Sequence, residues 1–167
     1  LSVSSEEGVG STFSFTLQFQ KTLSTIIPNE EEVAVLQIDK KDIHVLVVED
    51  IPLNQLLIKT LLDDFGYTYD NAENGKIAIE KLKSAHFDII LMDLQMPVMT
   101  GFEATFYIRN TLQSSIPIIA LTADVTTVDL TKCLEAGMND YITKPVDERA
   151  LHNKIIRHIQ PNSHLNP

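Results

Sequence analysis

Two apolar runs in this chain stop on carboxylates. His44-Val45-Leu46-Val47-Val48 leads into Glu49-Asp50, and Ile89-Ile90-Leu91-Met92 leads into Asp93. Short apolar runs rich in β-branched residues read as buried strands. Two such strands ending on acids gather negative charge at one sheet edge, which is costly unless a cation neutralises it or a reaction uses it. Asp50 and Asp93 suit a hard divalent ion, Mg2+ or Mn2+, with Glu49 acting through a metal-bound water and the backbone carbonyl of Gln95 completing the shell. Two further residues belong to the same chemistry if their strands lie in the same sheet. Thr122 closes Ile119-Ala120-Leu121-Thr122, and its hydroxyl can donate to an incoming phosphoryl group. Lys144 follows Asp140-Tyr141-Ile142-Thr143, and its ammonium is a point charge for a phosphoryl oxygen or for Asp93. A carboxylate beside a metal and a lysine can act as a nucleophile and form an aspartyl phosphate.

The elements that must position these residues are legible from His44 onward. The pattern predicts strands near 43–48, 67–72, 88–92, 117–121 and 140–143. Helices are expected near 52–65, 75–84, 101–112 and 125–136, with a last one after Asp147. Pro52 suits a first helical turn, and Leu53, Leu56, Leu57, Leu61 and Phe65 fall at helical spacing. Gly66 and Gly137 stop helices, Asn74, Asp124 and Asp147 are N-caps, and Thr100-Gly101-Phe102-Glu103 has the form of a capping box. Leu151, Ile155 and Ile159 form the apolar stripe of the last helix. Five strands alternating with five helices imply an α/β fold. The expectation is a doubly wound, flavodoxin-like parallel sheet of order 2-1-3-4-5, counted from the strand at His44. Ligands bind such sheets beyond the carboxyl ends of the strands, where the order reverses, and that is where the acids fall. The spacing and the acids thus point to one site. No glycine-rich phosphate loop follows the strand at His44, so a phosphate would arrive with a metal or transfer directly to a carboxylate.

Residues 43–159 resemble the receiver domain of two-component response regulators. The resemblance is carried by Val47-Val48-Glu49-Asp50, by Leu91-Met92-Asp93-Leu94-Gln95-Met96-Pro97-Val98-Met99-Thr100-Gly101, by Ala120-Leu121-Thr122-Ala123 and by Gly137-Met138-Asn139-Asp140-Tyr141-Ile142-Thr143-Lys144-Pro145, in order and at the right spacing. It implies that Asp93 is the phospho-acceptor, that Glu49 and Asp50 form the acidic Mg2+ pocket, that Thr122 and Tyr141 are a switch pair and that Lys144 senses the phosphate. It also implies a cis bond at Lys144-Pro145. Two positions depart from the family's pattern: Ile51 stands where an Asn commonly follows the acid pair, and Thr100 where an Asp often precedes the loop glycine. The first bears on access to the site and on phosphate lifetime; the second still caps.

The N-terminal piece also resembles a known family. Ser4-Ser5-Glu6-Glu7-Gly8-Val9-Gly10-Ser11-Thr12-Phe13-Ser14-Phe15-Thr16-Leu17 looks like the end of a histidine-kinase ATPase domain, with its last Gly-x-Gly box and final alternating strand. The organisation expected is therefore a kinase remnant over 1–20, an acidic linker over 21–42 with one apolar patch at 33–36, a receiver over 43–160 and a tail over 161–167. That is the carboxyl-terminal portion of a hybrid sensor histidine kinase, not a kinase by itself. The implied phosphate donor is a phosphohistidine on a histidine kinase, the same or the parent chain, and the implied acceptor is a histidine phosphotransfer protein. The implied location is the cytoplasm, with the parent kinase anchored in the inner or plasma membrane.

Composition limits the alternatives. The formal net charge of −10 argues against nucleic-acid binding. The single cysteine, Cys133, excludes an internal disulfide framework and fits a reducing compartment. No apolar run approaches the roughly 18 residues of a membrane span. His44, His86, His152, His158 and His164 are scattered and form no metal-ligand spacing. A Mg2+-dependent aspartyl-phosphate phosphohydrolase remains an alternative, although Gln95 stands where such enzymes carry a second Asp. A receiver-like interaction module that takes no phosphate is the other.

Overall fold

The computed structural model describes residues 2–6, 8, 10–14, 40–123 and 127–159, the side chains of residues 2, 5, 6, 11, 13, 14 and 127–130 excepted. The chain divides into two compact units, 1–35 and 36–167.

In the first unit, β1 (Ser2–Glu6) pairs antiparallel with β2 (Gly10–Ser14), Ser2 opposite Ser14 and Glu6 opposite Gly10. The alternation that begins at Thr12 and Phe13 is therefore a hairpin strand, and its partner precedes the Gly-x-Gly turn. Sequence reading missed that partner. Ser2-Val3-Ser4-Ser5-Glu6 carries one apolar residue after its first position and so lacks a period-two signal. The later part of the alternation, with Phe15, Leu17 and Phe19, lies outside the described residues, as do the patch at 33–36, Asp124 and the tail.

In the second unit, a short 3-10 turn at Lys40–Asp42 leads into β3 (His44–Val48), α1 (Pro52–Phe65), β4 (Thr68–Ala72), α2 (Gly75–Ser84), β5 (Ile89–Asp93), α3 (Gly101–Asn110), β6 (Ile118–Thr122), α4 (Thr127–Glu135), β7 (Asp140–Thr143) and α5 (Glu148–Ile159). All strand pairs are parallel, in the order β4-β3-β5-β6-β7. Counted from β3 this is 2-1-3-4-5, as expected from the alternation.

Parallel strands covered on both faces are apolar on both faces, and the three central strands show it. Val45, Val47, Ile89, Leu91, Ile119 and Leu121 turn one way, onto Ile58 and Leu62 of α1 and Leu151 and Ile155 of α5. Leu46, Val48, Ile90, Met92, Ile118 and Ala120 turn the other way, onto Ala78 and Ile79 of α2, Ala104 and Ile108 of α3, and Cys133. Each fully buried Leu or Ile contributes about 2–3 kcal/mol relative to exposure, so the two layers hold the strand ends rigidly in register.

The helix ends follow their local chemistry. Pro52 opens α1 without a side-chain cap, and Gly66 closes it in the left-handed region at φ 81°. Asn74 accepts from the Ile77 N–H at 3.0 Å. Thr100 and Glu103 form the reciprocal capping box of α3. Asp147 accepts from the Ala150 N–H at 2.8 Å. The apolar face of α1 needs correction. Leu53, Leu56 and Leu57 are exposed (74%, 60% and 43%), while Ile58 and Leu62 are buried and Leu61 and Phe65 half-buried.

Candidate functional site

The sheet register brings the candidate residues to one edge. Val48 pairs with Met92, Asp93 with Leu121 and Thr122 with Thr143. Glu49 and Asp50 leave β3, Asp93 and Thr122 end β5 and β6, and Lys144 leaves β7 through a cis bond to Pro145. The loop after Asp93 is held tightly. The Gly101 N–H donates to the Leu94 carbonyl at 3.2 Å, and a Cβ on Gly101 would lie 2.2 Å from the Asp93 carbonyl oxygen. Only glycine lets α3 start that close to the Asp93 main chain.

The side chains converge on Lys144. Its ammonium donates to Asp93 Oδ2 at 2.6 Å and to Glu49 Oε2 at 2.6 Å. Glu49 is fully buried, and its Oε1 accepts from Asn54 Nδ2 at 2.9 Å and from the Ile51 N–H at 3.3 Å. Asp93 is 6% exposed, and its Oδ1 accepts from the Gln95 N–H at 3.2 Å. One carboxylate oxygen from each of Glu49, Asp50 and Asp93 lies within 4.8 Å of the others. A cleft of about 620 Å³ opens above them, lined among others by Ile51, Asn54, Asp93, Gln95, Thr122 and Lys144.

The electrostatics are under-compensated. Three carboxylates face one ammonium, a formal excess of two negative charges. Burial drives the Asp93 carboxyl above the usual carboxylate range, and Glu49 adds to the rise; the hydrogen bonds from Lys144 and Gln95 oppose it without cancelling it. Burial pulls Lys144 down, but its bonds to Asp93 and Glu49 outweigh that and hold the ammonium above the ordinary lysine value. Asp50 Oδ1 is buried with no hydrogen-bond partner, one of two such side-chain oxygens among the described residues. An orphaned carboxylate oxygen in an acid-rich pocket is what a divalent cation would satisfy, so the residues present fit Mg2+ or Mn2+.

Of the residues singled out from sequence, Glu49, Asp50, Asp93 and Lys144 meet, and Thr122 and Gln95 line the same cleft. Gln95 engages Asp93 through its N–H. Tyr141 is set back. It pairs with Ala120, is half-buried against the core, and has the Lys154 ammonium 4.7 Å from its ring centroid. Sequence reading missed Asn54 and Gln55. Asn54 grips the Glu49 carboxylate, and Gln55 Nε2 donates to the Glu49 carbonyl at 2.6 Å. The available signal was two amides in the first turn of a Pro-started helix directly after an acid pair.

Comparison with known proteins matches residues 45–156 to the response regulator receiver domain. The chain belongs to this family. Its relatives include hybrid sensor histidine kinases. It is 38% identical over 148 residues to the sensor protein GacS of Pseudomonas syringae pv. syringae, covering 85% of this chain and 16% of that protein. It is 36% identical over 156 residues to the autoinducer 2 sensor kinase/phosphatase LuxQ of Vibrio vulnificus, covering 93% of this chain and 18% of that protein. The chain thus spans less than a fifth of the length of these relatives. Among solved structures, it is similar to the receiver domain of sensor histidine kinase PA1611 from Pseudomonas aeruginosa PAO1, which has a magnesium ion coordinated in its active site cleft. The identity is 38% and the TM-score 0.65, with 71% of this chain and 98% of that chain covered. It is also similar to the receiver domain of Ssk1, co-crystallised with the histidine phosphotransfer protein Ypd1 of Saccharomyces cerevisiae. There the identity is 37% and the TM-score 0.67, with 70% and 88% covered. The fold is that of receivers, and no helix among the described residues is long and apolar enough to cross a membrane.

Proposed function

We propose that Asp93 accepts a phosphoryl group from a phosphohistidine. The observation that carries this reading is a nearly buried carboxylate whose one charged donor, Lys144, also serves Glu49, beneath a cleft wide enough for a phosphoryl group. An Asp93 oxygen attacks phosphorus, the P–N bond breaks, and the departing imidazole keeps the electron pair and takes up a proton. Glu49, Asp50 and Asp93 would hold Mg2+ or Mn2+, which supplies charge neutralisation for the phosphoryl oxygens. Lys144 stands where it can exchange a carboxylate oxygen for a phosphoryl oxygen, and the Thr122 hydroxyl borders the same cleft. Ala120, on the strand face shared with Thr122, pairs with Tyr141, so Thr122 and Tyr141 are diagonal neighbours suited to a switch.

The phosphate would pass to a histidine phosphotransfer protein. Ile51 at the cleft, and Leu53, Leu56 and Leu57 on α1, which follows it, expose apolar side chains, as a helical partner presenting a histidine would require. Residues 1–20 read as the end of a kinase ATPase domain and 21–42 as a linker. The alignment to LuxQ, longer than the receiver match, supports this. Such a relay would operate in the cytoplasm.

Incubation with acetyl phosphate and Mg2+ tests the acceptor. Asp93→Asn should incorporate no phosphate, and equal incorporation by parent and variant would sink the assignment.

A further inference from the structure

We propose that Asn54 is a positioning residue that sets the affinity of the acid site for its cation by fixing which oxygen of Glu49 faces it. The inference rests on the reading above that this site takes a divalent ion, and it concerns a side chain for which that reading has no role.

A carboxylate offers about four lone-pair directions. On Glu49, Oε1 receives Asn54 Nδ2 at 2.9 Å and the Ile51 N–H at 3.3 Å, and Oε2 receives Lys144 Nζ at 2.6 Å. Oε1 is therefore full, whereas Oε2 has one lone-pair direction left, and one carboxylate oxygen of Glu49 lies within 4.8 Å of oxygens of Asp50 and Asp93. The main chain is held by the same turn of α1, through the 2.6 Å bond from Gln55 Nε2 to the Glu49 carbonyl. Glu49 has no solvent contact, so water cannot replace a lost donor cheaply. Without Asn54, Oε1 is one donor short, and the carboxylate gains from turning further toward Lys144, away from the position in which it serves the cation. That change alters the distance between charges in a site where each carboxylate oxygen counts. Groups that orient metal ligands in this way change affinity by about 10- to 100-fold when removed.

The test is direct binding of Mn2+ by the unphosphorylated chain, followed by electron paramagnetic resonance, together with the melting temperature in EDTA. Asn54→Ala should bind Mn2+ about 10- to 100-fold more weakly than the parent. Asn54→Gln, which keeps an amide donor, should recover part of the loss. Alanine in a first helical turn is well tolerated, and the EDTA melt checks that the fold persists. An Asn54→Ala protein that binds Mn2+ within threefold of the parent overturns the proposal, whatever its melting temperature, because the side chain would then be structural only. A parent that binds no Mn2+, or whose binding survives Asp50→Asn, overturns the reading of the acid site itself and the role of Asn54 with it.

Discussion

Asp93 and Asp140 are strand-end carboxylates of one sheet, yet their surroundings push them in opposite directions. Asp93 ends β5 at the carboxyl edge, and Asp140 starts β7 at the opposite edge. Burial raises both. At Asp140 it is outweighed by Lys154, by the Tyr141 N–H at 2.8 Å and by His158 Nε2 at 3.1 Å, which hold the carboxyl below its ordinary range. One acid there has two basic side chains from α5. At the other edge one lysine serves two acids, and a third acid has an oxygen with no partner. The contrast separates a saturated charge cluster, which ties α5 to the sheet, from an unsaturated one, whose missing positive charge a bound cation would supply. An under-compensated cluster is the better pointer to chemistry.

The largest expected effect lies at the saturated edge. Asp140→Asn keeps the shape but removes charge-assisted bonds from Lys154 and His158, and should cost about 2 kcal/mol near neutral pH. A group whose folded pKa is depressed contributes stability above its unfolded pKa and loses it as pH falls through the folded value. The gap between parent and variant should therefore close below about pH 4 in denaturant titrations. A gap that widens in acid would mean that Asp140 is not held as its partners suggest.

Next in size is the response to a cation. Mg2+ at ten times its Kd should stabilise the parent by about 1.4 kcal/mol. Asp140→Asn should retain that gain, because its cluster has no unsatisfied oxygen, whereas Asp50→Asn should lose most of it. Equal responses from both variants, read as thermal shifts against EDTA, would erase the distinction between the two edges.

The unsaturated edge was legible in the sequence because its parts obey fold-level rules. Strand alternation sets the order, the order sets the switch point, and Glu49, Asp50, Asp93, Thr122 and Lys144 each stand at a strand end that topology brings there. The saturated edge was not legible. Lys154 and His158 lie on a helix whose apolar stripe explains its folding without them, and nothing in their spacing aims them at Asp140. Asn54 and Gln55 escaped for a related reason, since amides in a first helical turn look like a solvated face. The leucines of α1 misled in the opposite sense: helical spacing marks Leu53, Leu56 and Leu57 as apolar, but only tertiary packing chose Ile58 and Leu62 for the core.

The smallest expected effect has the opposite sign and tests the comparison most sharply. With EDTA present, Asp93→Asn should stabilise the chain by about 1 kcal/mol at neutral pH, within the range of ordinary single substitutions. The raised folded pKa already includes the attraction of Lys144, so the ionised carboxylate is a net cost to the folded state. As pH rises past about 3.9, the unfolded chain releases this proton first, and the folded chain holds it longer. In that window the folded state binds more protons than the unfolded one, so stability falls as pH rises until the folded pKa is passed. Asn cannot ionise, and its advantage should be near zero at pH 3, grow through the window and then level off. Urea titrations of parent and variant at several pH values would show it. If Asp93→Asn and Asp140→Asn both destabilise at neutral pH, the two edges are built alike, and the acid pocket is as well satisfied without a cation as the cluster on α5.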